Sequence, residues 1–157
     1  GRLLLIELYP DFPLELIQIA DTRKPFLPDE PFHFSISHCG DYAAAIVSRD
    51  HRVGVDIELP AEKIRRLAAK FTGAEEEQFL IPDQFIQRAT LIWSVKETVF
   101  KWYGNGGVDF REDIVIKNIS GDEVEGFAHC EFRGSAALRI HYLHFNGNYL
   151  TWLLTDS

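Results

Sequence analysis

Short apolar runs separated by polar gaps dominate the first third of the chain. Residues 32–37, 42–48 and 53–58 are strand-like. They are separated by His38-Cys39-Gly40-Asp41 and by Arg49-Asp50-His51-Arg52. Gaps of that length and polarity predict an antiparallel meander. Upstream, residues 14–19 alternate as L-E-L-I-Q-I and predict a further strand. Residues 2–9 are compatible with either helix or strand, because periodicity does not decide over so few positions. Pro25, Pro28 and Pro31 make 21–31 an extended loop.

After Glu58 the apolar period lengthens. Ile64, Leu67, Ala68 and Phe71 share a helical face over 61–71, and Gly73 ends that helix. Thr72 is placed to cap a short acidic helix, AEEEQFL, with Glu75 at the capping-box position. Pro82 ends it. Asp83 then caps a long helix from Gln84 to about Tyr103, which stops at Gly104-Asn105-Gly106-Gly107. Strands follow at 114–119, 124–132, 137–145 and 149–154, with turn signals at Asn118-Ile119-Ser120-Gly121 and Asn146-Gly147-Asn148. The expected class is α+β, an antiparallel sheet packed against the long helix in a single domain.

Composition narrows the function. A chain of 157 residues, 46% hydrophobic and 25% charged, suits one globular domain with its own core. A net charge of −8 argues against nucleic acid as the main partner. Cys39 and Cys130 lie far apart and form no metal spacing, so they read as free thiols in a reducing compartment. Leu3-Leu4-Leu5-Ile6 runs into Glu7 and Pro10, and no apolar run reaches membrane length. The cytoplasm is the expected location, with no membrane partner. The chain opens on Gly1 and holds no methionine, so its start is a tag remnant or its natural beginning is absent.

Three segments carry candidate chemistry. In Val53-Gly54-Val55-Asp56-Ile57-Glu58, a strand places Gly54, Asp56 and Glu58 on one face. Neighbouring carboxylates repel, and a hard divalent cation relieves that repulsion. The same pattern also fits a solvated polar face. In Trp93-Ser94-Val95-Lys96-Glu97-Thr98-Val99-Phe100-Lys101, the residues Trp93, Glu97 and Lys101 lie along one helical stripe. An anchoring aromatic, a metal- or proton-binding acid and a phosphate-binding cation suit a site wall. An ordinary amphipathic helix with a Glu–Lys pair fits as well. In Phe34-Ser35-Ile36-Ser37-His38, the residues Ser37 and His38 are able to donate to a phosphate. Arg23-Lys24-Pro25 adds two cations before a rigid turn.

In this order the segments resemble the 4′-phosphopantetheinyl transferases. The likeness runs from about residue 21 to residue 108 and includes Phe71 with Glu75. Its core is the pair of signatures G-[IV]-D-[IV]-E and W-x-x-K-E-x-x-x-K. The upstream Ser-His block resembles the larger, surfactin-synthetase-activating subtype, which serves peptide and polyketide synthetases and secondary fatty-acid biosynthesis. That resemblance implies transfer of the phosphopantetheine arm of coenzyme A to a serine of an apo acyl or peptidyl carrier protein, releasing 3′,5′-ADP. It implies Mg²⁺ on Asp56, Glu58 and Glu97, with Glu97 as base directly or through water, and Lys101 on the phosphates. Arg23, Lys24, Ser37, His38 and Lys96 are then expected on the coenzyme. Lys63, Arg65, Arg66 and Lys70, a basic helical stripe on an acidic chain, are expected against the carrier. Within 1–157, residues 1–31 would be the remnant of a first pseudo-symmetric half and 32–157 the second half. The sequence departs from the pattern at Gly104-Asn105-Gly106-Gly107, which lacks a lysine between its glycines. From about Lys117 onward it matches only as generic strands. Two other functions stay open: a metal-dependent phosphodiesterase or pyrophosphohydrolase, and a non-catalytic carrier-binding module.

Overall fold

Helix α3 (Phe85–Tyr103) is apolar on most of its circumference: Leu91, Ile92, Val95, Val99 and Trp102 are all buried. A helix apolar over so much of its surface needs cover on several sides. In the computed structural model, which describes residues 1–156, that cover is a five-stranded antiparallel sheet on one side and shorter helical segments on the other. The sheet comprises β5 (His51–Glu58), β6 (Ile114–Gly121), β7 (Glu125–Phe132), β8 (Ala136–Phe145) and β9 (Asn148–Asp156), in the order β5-β9-β8-β7-β6. Ile114, Ile116, Ala128, Cys130, Ile140 and Leu153 supply its share of the core. The β8–β9 hairpin closes through Asn146-Gly147, both at positive φ (47° and 77°), the geometry an Asn-Gly turn provides at low cost.

The N-terminal part has its own small core. Leu5 of α1 (Arg2–Leu8), Phe12, Leu27, Phe32 and Phe34 cluster together. The short strands β1 (Gln18–Ile19) and β2 (Pro25–Phe26) pair with each other, as do β3 (His33–Cys39) and β4 (Tyr42–Ser48). The α+β class and the long helix on an antiparallel sheet agree with expectation. Both cysteines are free thiols. Among the described residues no helix is long and apolar enough to cross a membrane.

Several local expectations need correction. The meander stops at two strands: β5 pairs not with β4 but antiparallel with β9, almost a hundred residues later (Val53↔Leu154, Asp56↔Thr151). Residues 14–19 form a 3-10 turn, Leu14–Leu16, before the two-residue β1, because Leu14 and Ile17 both turn onto the small core. The helix expected over 61–71 is α2 (Ile64–Phe71). The acidic segment is a 3-10 helix, Ala74–Phe79, whose entry is fixed by Glu76 rather than Glu75: Gly73 N–H donates to Glu76 Oε1 at 2.9 Å. Asp83 makes no cap; the 3-10 turn Pro82–Gln84 leads into α3 instead.

Glu76 is fully buried, and so is Lys96 of α3. Lys96 Nζ donates to Glu76 Oε1 at 2.7 Å, to the Phe110 carbonyl at 2.8 Å and to the Phe71 carbonyl. Ile116 N–H donates to Glu76 Oε2 at 2.9 Å. One buried ion pair therefore ties α2, α3, the 110 loop and β6 together. Removing either partner strands the other's charge, which costs about 3–5 kcal/mol in other proteins. K96M and E76Q should each lower the unfolding free energy by about 3 kcal/mol or more. The double variant should lose less than the sum, measured by urea denaturation in a double-mutant cycle. Additive losses would show that the two charges are not coupled.

Candidate active site

The site is built where β5 crosses α3. Gly54, Asp56 and Glu58 face the helix, not solvent. A Cβ on Gly54 would lie 2.4 Å from the Thr98 carbonyl oxygen and 2.9 Å from Trp102 Cβ, so only glycine permits this approach. Asp56 is consequently 2% exposed, which removes the reading of a solvated polar face. Its Oδ1 accepts from Lys101 Nζ at 2.8 Å and from Ser37 Oγ at 3.2 Å. Its Oδ2 is buried and has no partner among the described residues. Glu58 Oε1 accepts from Trp93 Nε1 at 3.2 Å.

The acids perturb one another. Burial raises Asp56, and Lys101, Ser94 and Ser37 offset that only in part. Glu58 is pushed up to about 7 by burial first, then by the adjoining Asp56 carboxylate and by the Glu97 charge. Glu97 is likewise pushed up to about 7 by burial and by Asp56, with Lys101 opposing. The three carboxyls thus share one electrostatic environment. Among the described residues, however, no three His, Cys, Asp or Glu side chains are gathered closely enough to hold a metal ion as they stand. The expected ligand trio is neighbouring but not convergent.

Lys101 also lines a cavity of about 210 Å³ with Thr22, Arg23, Lys24, Phe34, Ile36 and Gly104. Lys24 is held below its usual value by burial and by the nearby Arg52. Arg23 is exposed, in a positive-φ turn. His38 is exposed and lies within β3, at its end, rather than in a turn beyond it. Ser37 is buried and faces β5, opposite to His38 along the strand. Lys96 is a correction: with no exposed surface and its ammonium spent on Glu76 and two carbonyls, it has nothing to offer a coenzyme.

On α2, Arg65 and Arg66 are exposed, as are Lys70 and, just before the helix, Lys63. Arg65 is engaged, at 2.8 Å from Glu62 and over the Phe85 ring. Nearby, Arg111 donates to the Ala69 carbonyl at 3.2 Å, an extra cation beside this stripe that helical spacing does not reveal.

Residues 52–151 match the profile of the 4′-phosphopantetheinyl transferase superfamily. The chain belongs to that superfamily. Its relatives include enterobactin synthase component D of Salmonella typhi, 40% identical over 91 residues, 55% of this chain and 38% of the relative. The 4′-phosphopantetheinyl transferase AcpT of Escherichia coli O157:H7 is 35% identical over 109 residues, 66% of this chain and 55% of the relative. The 4′-phosphopantetheinyl transferase psf-1 of Bacillus pumilus is 32% identical over 111 residues, 67% of this chain and 47% of the relative. The chain spans about half the length of these relatives or less. Within the superfamily signature, Trp93 orients Glu58, Glu97 and Lys101 face Asp56, and Lys96 alone points into the core. Spacing signalled the Trp93–Glu97–Lys101 stripe. It carried no sign that Ser37 reaches Asp56 or that Glu76 holds Lys96.

The raised acids set a pH dependence. Glu58 and Glu97 titrate near 7 when folded, against an ordinary value of 4.5. Between those values the folded chain binds more protons than the unfolded one, so stability must fall as pH rises. With chelator present, the urea midpoint should drop between about pH 5 and about pH 7 and level off above. The E58Q/E97Q variant should show a flatter profile. A midpoint that climbs over that range contradicts the raised values.

Proposed function

We propose that this chain transfers the 4′-phosphopantetheine arm of coenzyme A to a serine of an apo acyl or peptidyl carrier protein, releasing 3′,5′-ADP. The observation that carries the reading is the buried Asp56 carboxylate. It has an unpartnered Oδ2, sits among two further acids, and is joined through Lys101 to a cavity that Lys24 also lines. A partnerless buried carboxylate oxygen beside two acids that burial and mutual charge hold near 7 suits a divalent cation. Asp56, Glu58 and Glu97 would hold Mg²⁺ there, and it would supply charge neutralisation on the pyrophosphate when bound.

The chain's own residues take the remaining roles. Lys24 and Arg23 hold the adenosine end with its 3′-phosphate, and exposed His38 approaches the phosphates from the end of β3. Lys101 offsets the charge that builds up on the transferred phosphoryl group. The carrier serine Oγ bonds to phosphorus as the bond from that phosphorus to the bridging oxygen breaks. The serine proton passes to Glu97, whose value near 7 matches a general base at neutral pH. Lys63, Arg66 and Lys70 meet the acidic carrier, with Arg65 alongside. Residues 1–31, which build a small core together with Phe32 and Phe34 of the following segment, are read as the end of a first pseudo-symmetric half. The cytoplasm is the matching compartment.

One observation favours a second reading, a non-catalytic carrier-binding module: the acids are not convergent, and Lys101 already occupies Asp56. A phosphodiesterase gains nothing comparable, because hydrolytic metal sites gather His and Asp ligands and His38 lies exposed.

Incubation with coenzyme A, Mg²⁺ and apo carrier should add one phosphopantetheine to the carrier, read by intact mass. D56A should abolish the gain. K63E/R66E should raise the carrier KM about tenfold while leaving the coenzyme A KM unchanged. Carrier binding without any mass gain, insensitive to metal and to E97A, would establish the binding module instead.

A further inference from the structure

Ser35 and Ser37 project from one face of β3 toward the open edge of β5. Each hydroxyl accepts an edge amide: Val55 N–H donates to Ser35 Oγ at 3.1 Å, and Ile57 N–H donates to Ser37 Oγ at 3.2 Å. Among the described residues, side chains and not backbone thus join the β3–β4 hairpin to the large sheet at this edge. The two serines differ in what they do with the hydroxyl proton. Ser37 donates it to Asp56 Oδ1 at 3.2 Å. Among the described residues, Ser35 reaches no carboxylate.

Oδ1 of Asp56 is therefore held by Ser37 from β3 and by Lys101 from α3. Two donors on one oxygen fix the rotation of the carboxylate and leave Oδ2 as the unpartnered atom. Ser37 is 9% exposed, and both its proton and its edge-facing lone pair are engaged by protein. We propose that Ser37 is a positioning residue of the cation site, which orients Asp56 so that Oδ2 is presented to the metal, and is not a contact to the phosphate donor. This rests on the metal-dependent transferase reading above. Partners that orient ligating carboxylates are worth roughly 10–100-fold in metal affinity elsewhere.

Ser35 supplies the control, because S35A and S37A each abandon one edge amide but only S37A abandons the carboxylate. Mn²⁺ alone is the probe, followed by loss of the free-ion EPR signal with D56A as background. S37A should weaken Mn²⁺ binding about tenfold or more, and S35A should stay within about twofold of the parent. Both should lower Tm by similar amounts. If S37A does not fold, S37C carries the same comparison, since a thiol keeps the volume but donates weakly. Equal Mn²⁺ affinity in the Ser35 and Ser37 variants would overturn the positioning role and leave the metal reading standing. Parent binding no stronger than D56A would overturn the metal reading, and this inference with it.

Discussion

The contact of β5 with α3 at Gly54 decides where every group of the site lies. Strand and helix run in opposite directions there. Gly54 meets Thr98 and Trp102, Asp56 meets Ser94 and Lys101, and Glu58 meets Trp93. The crossing is close enough that a methyl group would collide with helix backbone. Short hydroxyl side chains tolerate that proximity on the neighbouring strand: Thr151 Oγ1 lies 2.8 Å from Ser94 Oγ and 2.6 Å from Thr98 Oγ1. Among the described residues, Asp56 Oδ2 is the buried side-chain polar atom left without a hydrogen-bond partner. An unpartnered carboxylate oxygen at that depth is unusual in a native fold, where most buried polar atoms are bonded.

Helix α3 carries two lysines that face opposite ways and do different work. Lys96 enters the core, where Glu76 and two carbonyls saturate its three donors. Its contribution is architectural, fixing α3 against α2 and β6. Lys101 keeps 25% of its side chain exposed while bonded to Asp56. A partly open cation is able to exchange its carboxylate partner for an incoming phosphate, whereas a saturated one is not. Glu97 lies between them in sequence and, among the described residues, has no hydrogen-bond partner. Burial and the Asp56 charge keep its proton affinity high.

Period-two alternation on β5 was legible in the sequence and assigned Asp56 and Glu58 to one face correctly. It could not tell that this face is covered, because cover comes from α3 forty residues onward. The pairing of β5 with β9 was hidden for the same reason: alternation shows that a segment is a strand, not which strand lies beside it. The signature W-x-x-K-E-x-x-x-K gave the stripe of Trp93, Glu97 and Lys101 from helical geometry. Lys96 falls on another stripe, and its burial depended on Glu76. Glu75 and Glu76 are adjacent acids, and only the path of the 3-10 helix chooses between them.

The same long-range logic bears on the glycine loop. No lysine lies between Gly104 and Gly107, yet a cation stands over Gly104. Lys24 Nζ would be 2.8 Å from a Cβ there, and Thr22 Oγ1 donates to the Gly104 carbonyl at 3.4 Å. The loop is held from the other side by Arg133, which donates to the Gly107 carbonyl at 2.7 Å and to the Tyr103 hydroxyl at 3.0 Å. Arg52 closes the third side, stacked on Trp102 and donating to the Tyr103 carbonyl. The last turn of α3, which carries Lys101, is therefore clamped by Arg52 from β5 and Arg133 from the turn between β7 and β8, and touched by an arm from the N-terminal core. Charge that the loop's own sequence lacks is supplied across the cavity. The place of Lys101 relative to Asp56 is fixed by contacts that no local pattern in the helix encodes.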